Sequence, residues 1–231
     1  MTEAIDQPAA ATVRLWDAPV RVVHWSFVLL LPALWWSAEV KTDIGLHKTL
    51  GYILLALLTF RILWGFVGSS TARFGHFLRG PGGVIEYLRS KQAEPIVGHN
   101  PLGGWSVLLV LALLLVQLVA GLFAQDVDGI ESGPLSYLVS YDTADAARGI
   151  HHLVFNLILG MVGLHLAAIL FYRFVRRHDL IAPMVTGRRR FAAEVTAPVF
   201  VPVWRVVVCA AIGLGLAWWV SLGSPLPWAE G

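Results

Sequence analysis

The stretch GIHHLVFNLILGMVGLHLAAILFY, residues 149–172, sets two histidines, His151 and His165, fourteen residues apart in an otherwise apolar run. An α-helix turns about 100° per residue, so fourteen residues return a side chain to within about 40° of its first direction and about 21 Å along the axis. One helix can therefore present two imidazoles on one face, one near each end of a membrane span. The neighbouring His152 would point about 140° from His165, so His151 is the member of that pair that shares its face.

Composition fixes the surroundings of this helix. Hydrophobic residues make up 57% of the 231 and charged residues 14%, against about 25% charged in ordinary soluble domains. The mean hydropathy is +0.68. Five stretches, roughly residues 20–39, 46–67, 103–124, 150–172 and 200–222, can each cross a hydrocarbon core of about 30 Å. Lipid offers no partner to backbone polar groups, so these spans are expected as helices. The fold expected is all-α, an integral membrane helix bundle. The first span does not read as a cleaved signal: Glu3 and Asp6 stand where a basic segment belongs, and no small-residue cleavage site follows. No nucleic-acid partner is expected; lipid is.

Basic residues orient the bundle. Arg14, Arg21, Arg73, Arg79, Arg89, Lys91, Arg173, Arg176, Arg177, Arg188, Arg189 and Arg190 fall on one side, and Lys41, Lys48 and Arg148 on the other. The positive-inside rule then puts the N-terminus in the cytoplasm and the C-terminus outside, in the periplasm of a bacterial inner membrane. Trp16, Trp64, Trp105 and Trp204 are expected at the inner interface, and Trp35, Trp36, Trp218 and Trp219 at the outer one.

Two more histidines lie at the edges of spans, His24 in the first and His47 in the second. The first helix runs outward and places His24 on the inner side; the second runs inward and places His47 on the outer side. The fourth also runs inward, so His151 is outer and His165 inner. The pairs are then His47 with His151 and His24 with His165. Two neutral imidazoles per iron suit a haem that carries electrons, because no coordination position stays open for substrate. Gly51, Gly160 and Gly163 are small residues that would let a porphyrin approach. Arg61, fourteen residues after His47, shares its stripe near the inner pair. It either binds a haem propionate or extends to the inner headgroups. His76, His99, His152 and His178 are expected in surface or interface roles. The single cysteine, Cys209, excludes covalent haem attachment, an iron–sulfur set and a disulfide.

Arg21-Val22-Val23-His24-Trp25, Leu46-His47-Lys48, Gly98-His99-Asn100-Pro101, and His151 with Gly163-Leu164-His165 resemble the prokaryotic cytochrome b561 and nickel-iron hydrogenase cytochrome b superfamily over residues 13 to about 187. The resemblance implies a four-helix core with two non-covalent b-type haems on His24, His47, His151 and His165. It also implies electron transfer between membrane quinone and a redox partner, with quinone oxidoreductase activity as the enzymatic option. Residues 39–45 form a shorter first connection than hydrogenase-type members carry, and the fifth span is additional to the family core. The expected organisation is a flexible cytoplasmic tail over residues 1–12, a di-haem domain over 13–187, and a linker with the fifth transmembrane helix over 188–231.

Two loops differ in character. Residues 68–102 include Val84, Ile85, Tyr87 and Leu88 beside Glu86, Arg89 and Lys91, a short amphipathic turn suited to the inner headgroups or an ordinary connector. Residues 125–149 hold Asp126, Asp128, Glu131, Asp142 and Asp145 against Arg148, a face suited to a basic c-type cytochrome, or simply an outer loop poor in basic residues. A proton or solute transporter and a haem-free membrane anchor are the competing classes. The transporter lacks carboxylates in the middle of the spans, and the anchor leaves the histidine spacing as coincidence. Oligomeric state stays open, with a homo-oligomer among the options.

Overall fold

A computed structural model describes residues 11–89, 96–128, 131–192 and 194–223. The tail positions 1–10, with Glu3 and Asp6, and Lys91 lie outside the described residues. Five helices are long and apolar enough to cross a membrane: α1 with its terminal turn (Ala18–Val40), α2 (Ile44–Val67), α5 (Pro101–Phe123), α6 (Tyr141–Phe174) and α8 (Trp204–Ser221). Their starts follow from capping chemistry. Asp17 Oδ1 accepts from Val20 N at 2.7 Å, Asp43 from Leu46 N at 2.8 Å and Asn100 from Gly103 N at 2.7 Å, each filling a free donor of a first turn. The first span ends in a π-helical turn, Trp36–Val40. Short helices α3 (Phe74–Phe77), α4 (Pro81–Arg89) and α7 (Ile181–Thr186) lie in the connections.

α1 packs on α2, α6 lies along α5, and α8 covers α2 along much of its length. The α8 contact is close because Gly213 has no side chain; a Cβ there would sit 2.5 Å from the Ala56 carbonyl oxygen. The mid-bundle core joins Leu30, Leu54, Leu58, Leu114, Leu118, Val154 and Ile158. A second core, Leu15, Trp16, Val20, Phe60, Trp64, Phe191 and Cys209, closes one end.

That end carries a feature the sequence reading lacked. Strand β1 (Ala11–Arg14) pairs antiparallel with β2 (Arg188–Phe191), Ala11 opposite Phe191 and Arg14 opposite Arg188. Arg14, Arg21, Arg73, Arg79 and Arg173 belong to the same end, while Lys41, Lys48 and Arg148 belong to the other, so the alternation of the spans matches the charge pattern. Trp105 and Trp204 at this end, and Trp35, Trp36, Trp218 and Trp219 at the other, are exposed as an aromatic belt requires. Trp16 and Trp64 depart from the expected belt. Both are buried: Trp64 Nε1 donates to Asp17 Oδ2 at 2.9 Å and holds the start of α1 to the end of α2, and Trp16 packs into the same apolar cluster.

α6 begins at Tyr141 with Ser140 as its cap, nine residues before the span expected from hydropathy. Asp142 and Asp145 are thus helical, and Asp145 pairs with Arg148 at 2.7 Å. Gly133 folds the preceding loop onto the end of α5, where a Cβ would lie 2.4 Å from the carbonyl oxygens of Gly121 and Leu122. The amphipathic turn is the helix α4, with Ile85 and Leu88 exposed.

Candidate functional site

The four histidines meet in two pairs. His47 of α2 and His151 of α6 have ring centroids 6.2 Å apart with planes at 80°. His24 of α1 and His165 of α6 have centroids 6.3 Å apart with planes at 61°. α1 and α6 do not pack along one another, so the pairs face each other across a slot between helices. Placing one iron between two imidazoles gives nearly this spacing: a metal–nitrogen bond of about 2.0 Å and the distance from that nitrogen to the ring centre, counted twice, come to a little over 6 Å.

The Nδ1 atoms show which nitrogen is free. His47 Nδ1 donates to the Leu34 carbonyl at 3.0 Å, with Ser37 Oγ 3.2 Å away. His151 Nδ1 donates to the Gln117 carbonyl at 2.9 Å. An N–H committed to a backbone carbonyl fixes the tautomer and leaves Nε2 with its lone pair available to a metal. The Gln117 side-chain amide lies 3.1 Å from His151 Nε2 and donates to that lone pair, so a metal bound there would take its place. Gly121, one turn further along α5, makes room for the ring: a Cβ there would stand 2.9 Å from His151 Cε1 and 3.0 Å from Nδ1. α5 contains no histidine, yet it positions one. Gln117 and Gly121 were missed in the sequence because only tertiary contact reveals them.

Of the expected small residues, Gly51 lies one turn after His47 and borders open space. Gly160 and Gly163 also border open space, but they lie about 180° and 120° round α6 from His151. They face away from the slot and do not serve a porphyrin there.

The His24–His165 pair is held differently. Past α6 the chain folds back against the first turns of α1, where Arg21 Nη1 donates to the Val185 carbonyl and Trp25 Nε1 to the Met184 carbonyl at 3.2 Å. Gly187 makes this return possible by taking φ +78°, and its carbonyl accepts from Leu15 N at 2.8 Å. Trp25, so anchored, lies edge-on to His24 with centroids 5.3 Å apart.

Below His24 on the same face of α1 sits a buried polar hub. Asp17 is 4% exposed and accepts from Val20 N, Trp64 Nε1 and Ser69 Oγ. Arg61 is 6% exposed, with its guanidinium carbon 5.5 Å from the Phe74 ring centre and its Nη1 without a hydrogen-bond partner among the described residues. It does not extend to the headgroups. His99, expected in a surface or interface role, is half-buried and packed among aromatic rings. Its ring lies between Trp16 and Phe77, 4.6 Å from each, and Nδ1 is sealed from solvent although part of the residue stays accessible. Burial, and then the Arg61 charge, pushes its pKa down to about 3, so it is neutral at ordinary pH. His76, His152 and His178 are exposed, as expected. A cavity of about 400 Å³ lined by Thr71, Phe77, Gly98, His99 and Val199 touches neither histidine pair.

A bundle of five membrane-spanning helices with imidazoles paired across a slot defines a class of membrane redox protein, and comparison with known sequences places the chain within it. The pattern of the family described as "Prokaryotic cytochrome b561" matches residues 15–187. The chain belongs to this family of membrane b-type cytochromes, which carry haem b and transfer electrons. It is 25% identical to the "Probable Ni/Fe-hydrogenase B-type cytochrome subunit" of Rhizobium leguminosarum bv. viciae, over 78% of this chain and 90% of the relative. It is 24% identical to the protein of the same description from Bradyrhizobium diazoefficiens, over 78% and 87%. It is 25% identical to the "Probable superoxide oxidase CybB" of Yersinia pestis, over 72% and 93%. No solved structure matches.

Proposed function

We propose that the chain carries electrons across a bacterial cytoplasmic membrane through two b-type haems, one held by His24 and His165, the other by His47 and His151. The observation that carries this reading is the pair of imidazole separations, 6.3 and 6.2 Å, at opposite ends of one helix. Each haem, when bound, supplies a one-electron couple. The protein supplies the rest. His47 and His151 offer Nε2 because backbone carbonyls hold their Nδ1 protons. α5 sets the His151 ring through Gln117 and Gly121, and the return of residues 181–191 sets the start of α1. Bis-imidazole ligation leaves no open position at iron, which favours electron transfer over chemistry at the metal.

The N-terminus is then cytoplasmic and the C-terminus periplasmic, by the positive-inside rule. Arg61 offers its free Nη1 to a propionate of the inner haem, which would relieve a buried cation that has no ion-pair partner within 4 Å among the described residues. Membrane quinone is the lipid-side partner. A basic periplasmic c-type cytochrome is the soluble one, supported by exposed Asp128, Glu131 and Asp142 at the outer end. The hydrogenase in the descriptions of two relatives supports membership of a larger redox assembly.

The test is ligand pairing. His47→Ala and His151→Ala should each give the same one-haem protein, and His24→Ala and His165→Ala the other, as read by pyridine haemochrome and redox titration. If His24→Ala and His151→Ala gave the same one-haem product, the pairing would be wrong.

A further inference from the structure

The short connection between the first two spans fixes more than their turn. Its π-helical segment, Trp36–Val40, is closed by Lys41 N on the Trp36 carbonyl, and Asp43 N reaches the Ser37 carbonyl, both at 2.9 Å. Asp43 then caps α2 through Leu46 N, and its carbonyl accepts from His47 N at 2.9 Å. One turn thus sets both the end of α1 and the helix that carries His47; π turns of this kind gather at functional sites. Acceptors crowd there. Ser37 is 0% exposed and its Oγ donates to the Leu34 carbonyl at 2.8 Å, while His47 Nδ1 meets that carbonyl at 3.0 Å and the hydroxyl oxygen at 3.2 Å. α5 does the same for His151, whose Nδ1 donates to the Gln117 carbonyl at 2.9 Å because Gly121, one turn on, has no side chain to keep the ring away.

The His24–His165 pair has other surroundings. Trp25 lies edge-on to His24, and neither imidazole makes a hydrogen bond among the described residues. What this end holds instead is positive charge. Arg61 is 6% exposed with Nη1 unpartnered, and Arg21 and Arg73 each keep a sealed, unpartnered Nε among the described residues. Asp17 opposes them, but its carboxylate is shared among Val20 N, Trp64 Nε1 and Ser69 Oγ. Trp64, which reaches Asp17, is three residues past Arg61, about 4.5 Å further toward the inner surface, so α2 carries the cation on the haem side of the acid. At the other end Lys48 stands against Asp126, and Arg148 is paired with Asp145, so those charges nearly cancel.

A haem's potential follows from its axial ligands, the hydrogen bonds to them, burial and nearby charge. Both sites are bis-imidazole, so ligand identity cancels and the remaining differences decide. A carbonyl that takes the Nδ1 proton makes Nε2 a stronger base, and a more basic imidazole favours ferric iron over ferrous. A buried cation favours the ferrous state, with one positive charge fewer at the iron to repel. Both effects have the same sign. We infer that the chain holds the haem on His47 and His151 at a lower potential than the haem on His24 and His165, an inference that rests on the two-haem reading. Leu34, Ser37 and Gln117 act on the first haem through its ligands, and Arg61 acts on the second through its charge. An electron moving inward then descends in redox energy while it climbs a membrane field that is negative inside.

The test is a spectroelectrochemical titration of the haem-loaded full chain in lipid nanodiscs, with haem counted by pyridine haemochrome. Two haems should titrate as two waves, the electron favouring the His24–His165 haem by about tenfold or more, which for one electron is about 59 mV. His47→Ala should remove the lower wave and His24→Ala the upper one. Two variants that keep all four ligands assign the waves independently. Arg61→Leu should move only the upper wave, downward. Freshly loaded Gly121→Ala, which presses the His151 ring off the Gln117 carbonyl, should raise only the lower one. A haem count other than two in the wild type would overturn the two-haem reading, and this inference with it. Two haems that titrate as one wave, a lower wave that survives His47→Ala or answers to Arg61→Leu, or one unmoved by Gly121→Ala would overturn the ordering alone.

Discussion

Replacing Gly121 by alanine isolates what α5 does for the haem proposed on His47 and His151, the outer one in that proposal. The new methyl carbon would stand 2.9 Å from His151 Cε1 and 3.0 Å from Nδ1, so the imidazole must retreat by about half an ångström to reach ordinary contact distance. The Nδ1 hydrogen bond to the Gln117 carbonyl, now 2.9 Å, would lengthen past the usual range of about 2.7–3.2 Å. Alanine favours the helix over glycine by roughly 0.5–1 kcal/mol. Overpacking costs about 1–3 kcal/mol, and the weakened hydrogen bond adds roughly 0.5–1.5 kcal/mol. The unfavourable terms win at the site. Loss of the partner that orients a ligand typically lowers metal affinity about 10–100-fold. Gly121→Ala should therefore release the outer haem to excess apomyoglobin faster by about that factor, while the inner haem is retained and the haem-to-protein ratio falls from two toward one. Gly215→Ala on α8, where a Cβ meets nothing within 4 Å, should behave as wild type. A Gly121→Ala protein with wild-type release rates and both potentials unchanged would refute the positioning role of α5.

Arg61→Leu removes a buried positive charge beneath the inner site and should lower the midpoint potential of that haem by tens of millivolts, on the order that Coulomb's law gives at an effective dielectric of about 20; equal potentials in a redox titration would reject the propionate contact. His99 is neutral in the folded chain, with a pKa near 3 against about 6.5 when unfolded. Below about pH 6.5 the unfolded chain therefore binds a proton that the folded one does not, and stability falls as pH drops toward 3, at up to about 1.4 kcal/mol per pH unit. Unfolding in mixed detergent should show a loss of about 2 kcal/mol between pH 7 and pH 5, and His99→Phe should flatten it; an unchanged slope in that variant would remove His99 as the cause. Electron exchange with a basic soluble cytochrome should slow as salt rises, since surface charges are screened over about 8 Å at physiological salt. Replacing Asp128, Glu131 and Asp142 together by Asn, Gln and Asn should slow it at low salt and flatten that dependence, and stopped-flow rates indifferent to both changes would move the docking face elsewhere.

The spans were legible because lipid forces helices and hydropathy marks their lengths, and the histidine pairing because a fourteen-residue interval and the charge asymmetry suffice to orient four side chains. What escaped was whatever depends on contact between distant segments. Nothing in Gln117 or Gly121 announces a histidine partner thirty residues later. Arg188–Phe191 reads as a basic linker until Ala11–Arg14 is beside it. Trp16 and Trp64 carry the composition of an interfacial belt, but the carboxylate of Asp17 draws the Trp64 indole into the interior. His99 follows no apolar periodicity, so its place between two aromatic rings was invisible. The early start of α6 was missed because hydropathy sees only the membrane-length part of a helix that Ser140 caps far outside it.

The pairing of β1 with β2 bears on the order in which the protein can be made. Every residue that fixes the His47–His151 pair, from Leu34 to His151, has been synthesised once α6 is complete. The His24–His165 site is different: α1 receives its bracket from Met184, Val185 and Gly187, and the preceding strand its partner only with Arg188–Phe191. The first helix synthesised is thus bracketed by residues made after α6, so the His24–His165 end depends on later-made chain than the His47–His151 end does.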